Sequence, residues 1–424
     1  MTSAGSIAGS PAVSVAMLGA RMHYAVPRLL NEAGLLNYFF TDSYVGNKPW
    51  LQWTLERFPA SLRPKEAQRW LGRRSPGLEP GRVVSFELFG IWYAAARRRA
   101  QTREEVEVLF QKAGHEFNRH ILAKGLGETR VVWGYNTASL ELFRAARRAG
   151  LRCVLEQTIL PRSLELQWLR EEEDAWPSWS ARQLAVGTSL LADLEEEEWE
   201  LADCIVAGSE FVKAGLVARG VPEAKIRVVA YGVDPEQFRC VDAETEKGGG
   251  KLKVLFAGQV GLRKGIPYLL QALKDLPPNS VEARIVGPID IEPSRLSGCG
   301  DGVSVLGAVP RSEMARLLRW ADVLVLPSIV EGSATVTYEA LMSGRPVIAT
   351  PNAGSIVRDG VDGCVVPVRD IPALREALFR YASDRALLRR HQQAAAEGRE
   401  RAGLSRYGVD LVDTIRAVAG GAAA

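Results

Sequence analysis

The sequence predicts an α/β protein of two doubly wound domains, each a parallel sheet covered by helices. Short, near-continuous apolar runs recur through both halves, as strands buried on both faces require. Helical patterns separate these runs, which is the signature of βαβ units. A chain of 424 residues exceeds one ordinary core and suits two.

In chain order, the first strand is expected at residues 13–18, after a short tail with no basic residue before Arg21. Such a tail reads as a flexible start and not as a signal peptide. Strands at 130–133, 151–155 and 204–207 complete the first half. The second half repeats the logic at 253–257, 282–286, 303–306, 323–326, 347–349 and 364–366. Between them CVDAETEKGGGKLK, residues 240–253, is charged and carries a triple glycine, the composition of a flexible connection. The domains are therefore placed at 1–240 and 241–403. Apolar Val409, Leu411, Val412, Ile415 and Val418 then recur at helical spacing within a last segment, 404–424, whose glycine-alanine end is expected to lack order.

Residues 43–100 read as an insertion with eleven Lys/Arg against four Glu, interleaved with Trp50, Trp53, Phe58, Trp70 and Trp92. Basic residues beside tryptophan suit an anionic lipid surface or an anionic acceptor. The plainer reading is a solvated basic face with the tryptophans in the core. A net charge of +3 and the lack of a recognition motif argue against nucleic acid. Hydrophobic content of 47% is globular, and no apolar run reaches membrane-spanning length. Five scattered cysteines without metal-type spacing suggest a reducing cytoplasm. A place at the inner face of the membrane follows only if 43–100 touches lipid.

The chemistry concentrates in EGSATVTYEALMSG, which begins just past the apolar run ADVLVLPS. A helix starting near Gly332, Ser333, Ala334 and Thr335 turns unpaired N–H groups and a positive dipole toward an incoming anion. Glu331 precedes this helix, and Glu339 is expected two turns inside it. Carboxylates accept hydrogen bonds from vicinal hydroxyls, so the pair suits sugars on either side of a diphosphate. A helix cap and a solvated charge are the bland alternatives. Upstream, KLKVLFAGQVGLRKGIPYLLQAL carries Arg263 and Lys264 at a strand-to-helix turn, where cations oppose the dipole unless they serve an anion.

The strand, the RKG turn and the Glu-x7-Glu block together resemble family 4 of the retaining glycosyltransferases, which have the GT-B fold of two Rossmann-like domains facing across a cleft. Residues 209–238 resemble that family's lead into its donor domain, and 344–370 its later donor-side strands. The resemblance implies a transferase that moves a sugar from a nucleotide-diphosphate donor to a hydroxyl of a glycan, lipid-linked glycan or small molecule, with retained configuration. It implies that Lys264 and Arg263 neutralise the diphosphate, Glu331 binds the donor sugar and Glu339 the ribose. Gly258, Gly287 and residues 307–309, including Ala308 and Val309, would let backbone approach the nucleotide. The last helix would cross back to the first domain. The family's arginine after the strand-end glycine is Gln259 here, a departure that bears on diphosphate affinity.

No Asp-x-Asp pair occurs, so the expectation is no metal and no cofactor beyond the donor. On the acceptor side the loop after the first strand offers Gly19, Arg21 and His23, with a packing role open for His23. Tyr135 and Asn136 end a second strand. Glu156 and Gln157 end a third, where many relatives carry a histidine. Acidic runs at 171–174 and 195–198 read as solvated helix faces. Two other functions stay open: a GT-B epimerase or hydrolase using the same donor site, and a non-catalytic nucleotide-sugar-binding subunit.

Overall fold

The computed structural model describes residues 12–49, 53–54, 57, 70–181, 189–238, 250–297, 300 and 302–420. Two all-parallel sheets organise it. The first has strand order β3-β2-β1-β4-β5-β6-β7, and the second β10-β9-β8-β11-β12-β13. The strands are β1 Val13–Met17, β2 Leu36–Thr41, β3 Val83–Ser85, β4 Val131–Tyr135, β5 Arg152–Gln157, β6 Cys204–Ala207 and β7 Ile226–Val228. The second sheet uses β8 Leu252–Ala257, β9 Val281–Val286, β10 Val303–Gly307, β11 Val323–Leu326, β12 Val347–Ala349 and β13 Gly363–Val365.

Both orders reverse once, between β1 and β4 and between β8 and β11. Chains leaving the carboxyl ends of such neighbours diverge to opposite faces and leave a crevice where ligands bind. The central strands are buried on both faces: β1, β4, β6 and β11 expose no residue, as the apolar runs require.

Three strands went unread in the sequence. β2, LNYFFT, mixes polar and aromatic residues, while β3 and β7 are three-residue pairings at the sheet edges. Residues 43–100 are therefore no simple insertion, because they supply β3 as well as helix α2, Glu87–Arg99. Trp50 and Phe58 lie outside the described residues, as does most of the glycine-rich connection, 239–249. Trp53 and Trp92 are exposed and Trp70 is half-buried, so these three do not form a tryptophan core.

The helices that matter for the site are α1 Ala25–Glu32, α2, α3 Arg103–Lys124, α4 Leu140–Arg148, α5 Arg162–Ala175, α6 Leu190–Leu201, α7 Ile266–Lys274, α8 Arg311–Trp320, α9 Thr335–Met342 and α10 Leu404–Ala419. A capping box starts α3: the Thr102 hydroxyl accepts from Glu105 N–H at 3.1 Å while the Glu105 carboxylate reaches back to Thr102 N–H. α10 returns to the first sheet. Tyr407 sets its ring edge-on to Tyr231, Gly408 lies against Leu29 of α1, and Gly403 bridges Val233.

Two acidic stretches are not the solvated faces that composition suggests. Glu172 of α5 and Glu195 and Glu198 of α6 are buried. Each has found partners that composition alone does not reveal. Glu198 accepts from the N–H groups of Thr137 and Ser139, both at 2.6 Å. Glu172 accepts from Arg369 at 2.6 Å and from Tyr268 at 3.2 Å, which ties the first half of the chain to the second.

Candidate active site

At the β8/β11 reversal two loops meet. The chain leaving β8 makes a short 3-10 turn, Leu262–Lys264, then Gly265 in the left-handed region at φ 69° before α7 begins. Any β-carbon on Gly265 would strike the carbonyl of Pro327 in the loop after β11. Glycine thus lets the two loops lock, and Ile329 N–H donates to Arg263 carbonyl at 2.9 Å.

This locking brings Lys264 and Arg263 onto a single carboxylate. Lys264 Nζ lies 2.6 Å from Glu331 Oε1, and Arg263 Nη1 bonds the same oxygen. Lys264 and Glu331 are both buried. Burial alone would raise the Glu331 carboxyl, but the two cations outweigh it and hold the acid below its ordinary value. Burial, with the neighbouring Arg263 charge, pushes the Lys264 ammonium below the usual lysine value against the pull of Glu331. Two cations share one anion, so the cluster keeps a net positive charge facing the cleft.

Helix α9 starts at Thr335 with Ala334 as N-cap, three residues later than the expected start at Gly332. Glu339 is accordingly just over one turn inside it, not two. The reason is that Gly332 and Ser333 are engaged elsewhere. Ser209 Oγ donates to the Gly332 carbonyl at 2.5 Å, and Ser333 Oγ bonds Tyr338 OH at 2.7 Å and the Gly354 carbonyl at 3.1 Å. A β-carbon at Gly332 would collide with the carbonyl of Thr158, from the loop after β5 in the first sheet.

Glu339 is buried and pairs with Arg311 Nη1 at 3.1 Å. Burial raises its carboxyl, opposed by that guanidinium. Arg311 was missed in the sequence. It is the first residue of α8, and a cation at a helix start opposes the dipole, the same signal that singled out Arg263 and Lys264. Gly258, Gly287 and the stretch Gly307, Ala308 and Val309 line up along strand ends, with Gly287 N–H donating to Gly307 carbonyl at 2.8 Å. Gln259 carries no charge to the site and instead donates to Asp290 at 2.9 Å.

Across the cleft, the β1/β4 reversal gathers the remaining residues. Gly19 N–H donates to Asp42 at 3.0 Å, and Asp42 pairs with Arg73 at 2.6 Å. Met22, His23 and Tyr24 all hold positive φ, 44°, 50° and 64°, a strained run of three non-glycine residues. Partial desolvation of the His23 imidazole and the Arg311 charge push it down to about 4, so it is neutral at pH 7. Arg21 donates to Thr158 Oγ1 at 3.1 Å and lies over the Tyr135 ring.

Asn136 lines the cleft, accepting from Thr158 Oγ1 at 2.9 Å and donating to Glu195 at 2.9 Å. Glu156 and Gln157 depart from the expectation of acceptor contact. Successive strand residues point to opposite faces. Glu156 is buried beneath Tyr231 OH, 2.9 Å away, and Trp133, while Gln157 is buried on the other face against Trp199 and Glu195. Tyr135 is buried as well, so these three support the cleft floor while Arg21, Asn136 and Thr158 line it.

The two halves enclose a cavity of about 650 Å³ that runs from Arg21 and Asn136 to Gln259, Gly261 and Arg263. Among the described residues no group of three His, Cys, Asp or Glu side chains is placed to hold a metal ion. No helix among them is long and apolar enough to cross a membrane.

Residues 251–384 match the family model described as glycosyl transferases group 1. An amylovoran biosynthesis glycosyltransferase of Erwinia amylovora is 29% identical over 188 residues, 40% of this chain and 45% of that protein. A D-inositol 3-phosphate glycosyltransferase of Streptomyces bingchenggensis is 30% identical over 244 residues, covering 52% and 54% respectively. The chain thus spans about half the length of the curated relatives it matches. Among solved structures, a sucrose-phosphate synthase from Thermosynechococcus elongatus superposes with TM-score 0.68 at 18% identity over 97% of this chain and 100% of that one. Anabaena HepE in complex with UDP and glucose gives 0.61 at 13% identity, over 96% and 100%. Two parallel sheets facing across a cleft give this chain the GT-B fold of these solved structures, and residues 251–384, in the half built on the second sheet, are similar to the glycosyl transferases group 1 family model.

Proposed function

We propose that this chain is a retaining glycosyltransferase that moves a sugar from a nucleotide-diphosphate donor to a hydroxyl of a glycan, lipid-linked glycan or small-molecule acceptor, without a metal. The observation that carries this reading is the Lys264–Arg263–Glu331 cluster, with its excess positive charge, opposite a helix start whose second turn holds a buried carboxylate. Relatives named as glycosyltransferases, and a neighbour of the same fold in complex with UDP and glucose, support it.

In this reading the diphosphate enters between the α9 N-terminus and the Lys264–Arg263 pair. Charge developing on the departing phosphate is met by fixed cations in a water-poor site, where they act most strongly. Arg263 reaches the diphosphate from the turn in place of the cation that Gln259 does not supply. Glu331, released from its cations, accepts from donor-sugar hydroxyls; Glu339, released from Arg311, accepts from the ribose. Arg21, His23 and Asn136 face the acceptor, whose hydroxyl approaches the sugar on the face the phosphate leaves. The leaving phosphate takes the acceptor proton, so no protein nucleophile is required. The protein is placed in the cytoplasm, at the inner face of the membrane only if 43–100 meets lipid.

The test has two parts. Thermal shift against uridine, guanosine, adenosine and thymidine diphosphates should single out one base, since a specific ligand raises the melting point by mass action. Labelled donor of that base should then pass its sugar to an added acceptor, unaffected by a chelator. Free labelled sugar without acceptor would mark a hydrolase, and specific nucleotide binding with no turnover on any acceptor would mark a binding subunit.

A further inference from the structure

Arg103 shares the anomaly of Arg263, Lys264 and Arg311. It is the first residue of α3, where a cation opposes the helix dipole, whereas Glu104 and Glu105 beside it are the acids that such a position favours. The first half nevertheless turns it into the cleft. Its guanidinium reaches Asp290, in the loop after β9 of the second half, at 3.6 Å.

The cavity between the halves is lined by as many acids as arginines, so what matters is how firmly each cation is held. Arg162 is clamped by Glu165 at 2.8 Å and by Glu107 at 3.4 Å, and Arg263 bonds Glu331. Arg103 is held loosely. A separation of 3.6 Å is an ion pair without a hydrogen bond, and both side chains are 29% exposed, so water screens the pair. The same Asp290 oxygen takes its hydrogen bond from Gln259, at 2.9 Å. Asp290 itself is fixed: its N–H donates to the Val260 carbonyl at 2.9 Å, its carbonyl accepts from Ala181 N–H of the first half, and Glu292 N–H donates to the Trp179 carbonyl at 2.9 Å. A β-carbon on Gly261 would lie 3.6 Å from that of Asp290. The carboxylate thus stands against the start of the Leu262–Lys264 turn and draws Arg103 toward it.

We propose that Arg103 is a further ligand of the diphosphate, delivered from the first half: the phosphates displace Asp290 and take up the guanidinium, which joins Arg263 and Lys264. A diphosphate carries more negative charge than that cluster, with two cations on one carboxylate, can offset. Arg103 is the cation within reach of the turn that gives up only a screened contact to serve it. This rests on the reading of the cleft as a nucleotide-diphosphate donor site. It goes beyond that reading by making neutralisation of the leaving group a task shared by both halves, with Asp290 aiming Arg103 before the donor binds.

Equilibrium titration of the full chain with the diphosphates of uridine, guanosine, adenosine and thymidine, and with the four nucleosides, tests this. Arg103→Gln should weaken the diphosphate that the wild type binds by about tenfold, as loss of one charge-assisted contact does, and leave its nucleoside within about twofold. Asp290→Asn removes a competitor for the guanidinium, so diphosphate affinity should hold or rise a few-fold. A mere bridge between the halves predicts otherwise, since loss of either partner would then weaken binding alike. Adding Gln259→Arg to Arg103→Gln should restore most of the affinity, because Gln259 bonds the same carboxylate and a guanidinium there stands in the same place. Equal losses in Arg103→Gln and Asp290→Asn, an equal loss for diphosphate and nucleoside, no recovery with Gln259→Arg, or a rise in KM for acceptor alone would each overturn the proposal. A wild type that binds none of the four diphosphates would sink the donor reading itself; full affinity in Arg103→Gln would sink this inference and spare that reading.

Discussion

The two strand-order reversals solve the same geometric problem with opposite chemistry. At β8/β11, charges converge: Lys264 and Arg263 meet Glu331, and Arg311 meets Glu339, all within short loops and first helical turns. At β1/β4, the residues facing the cleft are a guanidinium, a carboxamide and hydroxyls, held by a buried layer behind them. Asn136 and the Thr137 N–H are fixed by Glu195 and Glu198 from α6. In the proposed transferase reading, a diphosphate is a constant of the chemistry and can be met by local, rigid charge, whereas an acceptor varies and would meet adaptable groups on a tertiary support.

The largest break in this comparison should come from Lys264→Ala. Removing a buried cation from the leaving-group side should lower turnover by about 10²–10³-fold while the fold survives, as steady-state kinetics with labelled donor would register. Turnover within twofold of wild type would remove the charge cluster from the mechanism.

Glu198→Ala should do the reverse, harming the fold more than the chemistry. It leaves the Thr137 and Ser139 N–H groups unpaired in the interior, at about 1–3 kcal/mol each, and urea denaturation should read the loss while UDP affinity stays level. Unchanged stability would mean that water replaces Glu198 without penalty.

Glu339→Ala should weaken UDP roughly tenfold with a smaller change in turnover, a split that separates nucleotide holding from leaving-group stabilisation. The alkaline limb of UDP binding sharpens the contrast further. Burial lowers the Lys264 ammonium, so its charge is lost earlier on a rising pH scale than that of an exposed lysine. UDP affinity should decline along that rise, and Lys264→Arg should abolish the decline because guanidinium keeps its charge. An identical decline in the arginine variant would assign it to another group.

The smallest effect is expected at the tie between halves. Arg369→Ala breaks its bonds to Glu171 and Glu172, which join the two halves, and KM for donor should rise a few-fold with turnover little changed. Leaving Glu172 buried beside Tyr268 alone also predicts a lower melting temperature.

Legibility followed the same division. The central strands could be read because burial on both faces writes itself as continuous apolar sequence; β2 could not, since LNYFFT alternates chemistry without a clean period. The charged residues at the second reversal were legible because a cation at a helix start is locally anomalous. Arg311 carried that anomaly too. Glu195 and Glu198 were misread, because a glutamate run on a helix looks solvated until the strand ends that it supports are known. Glu156 and Gln157 sit at a strand end as expected, yet the alternation of the strand sends both away from the cleft.

Gly332 sets how closely the two halves of the chain approach each other beside the cleft. Backbone rests on backbone there, with Thr158 on the far side, and a single added methyl would act as a doorstop. The approach of the two halves at this point is thus set by main chain and the Ser209 hydroxyl, independently of the side chains that line the cavity.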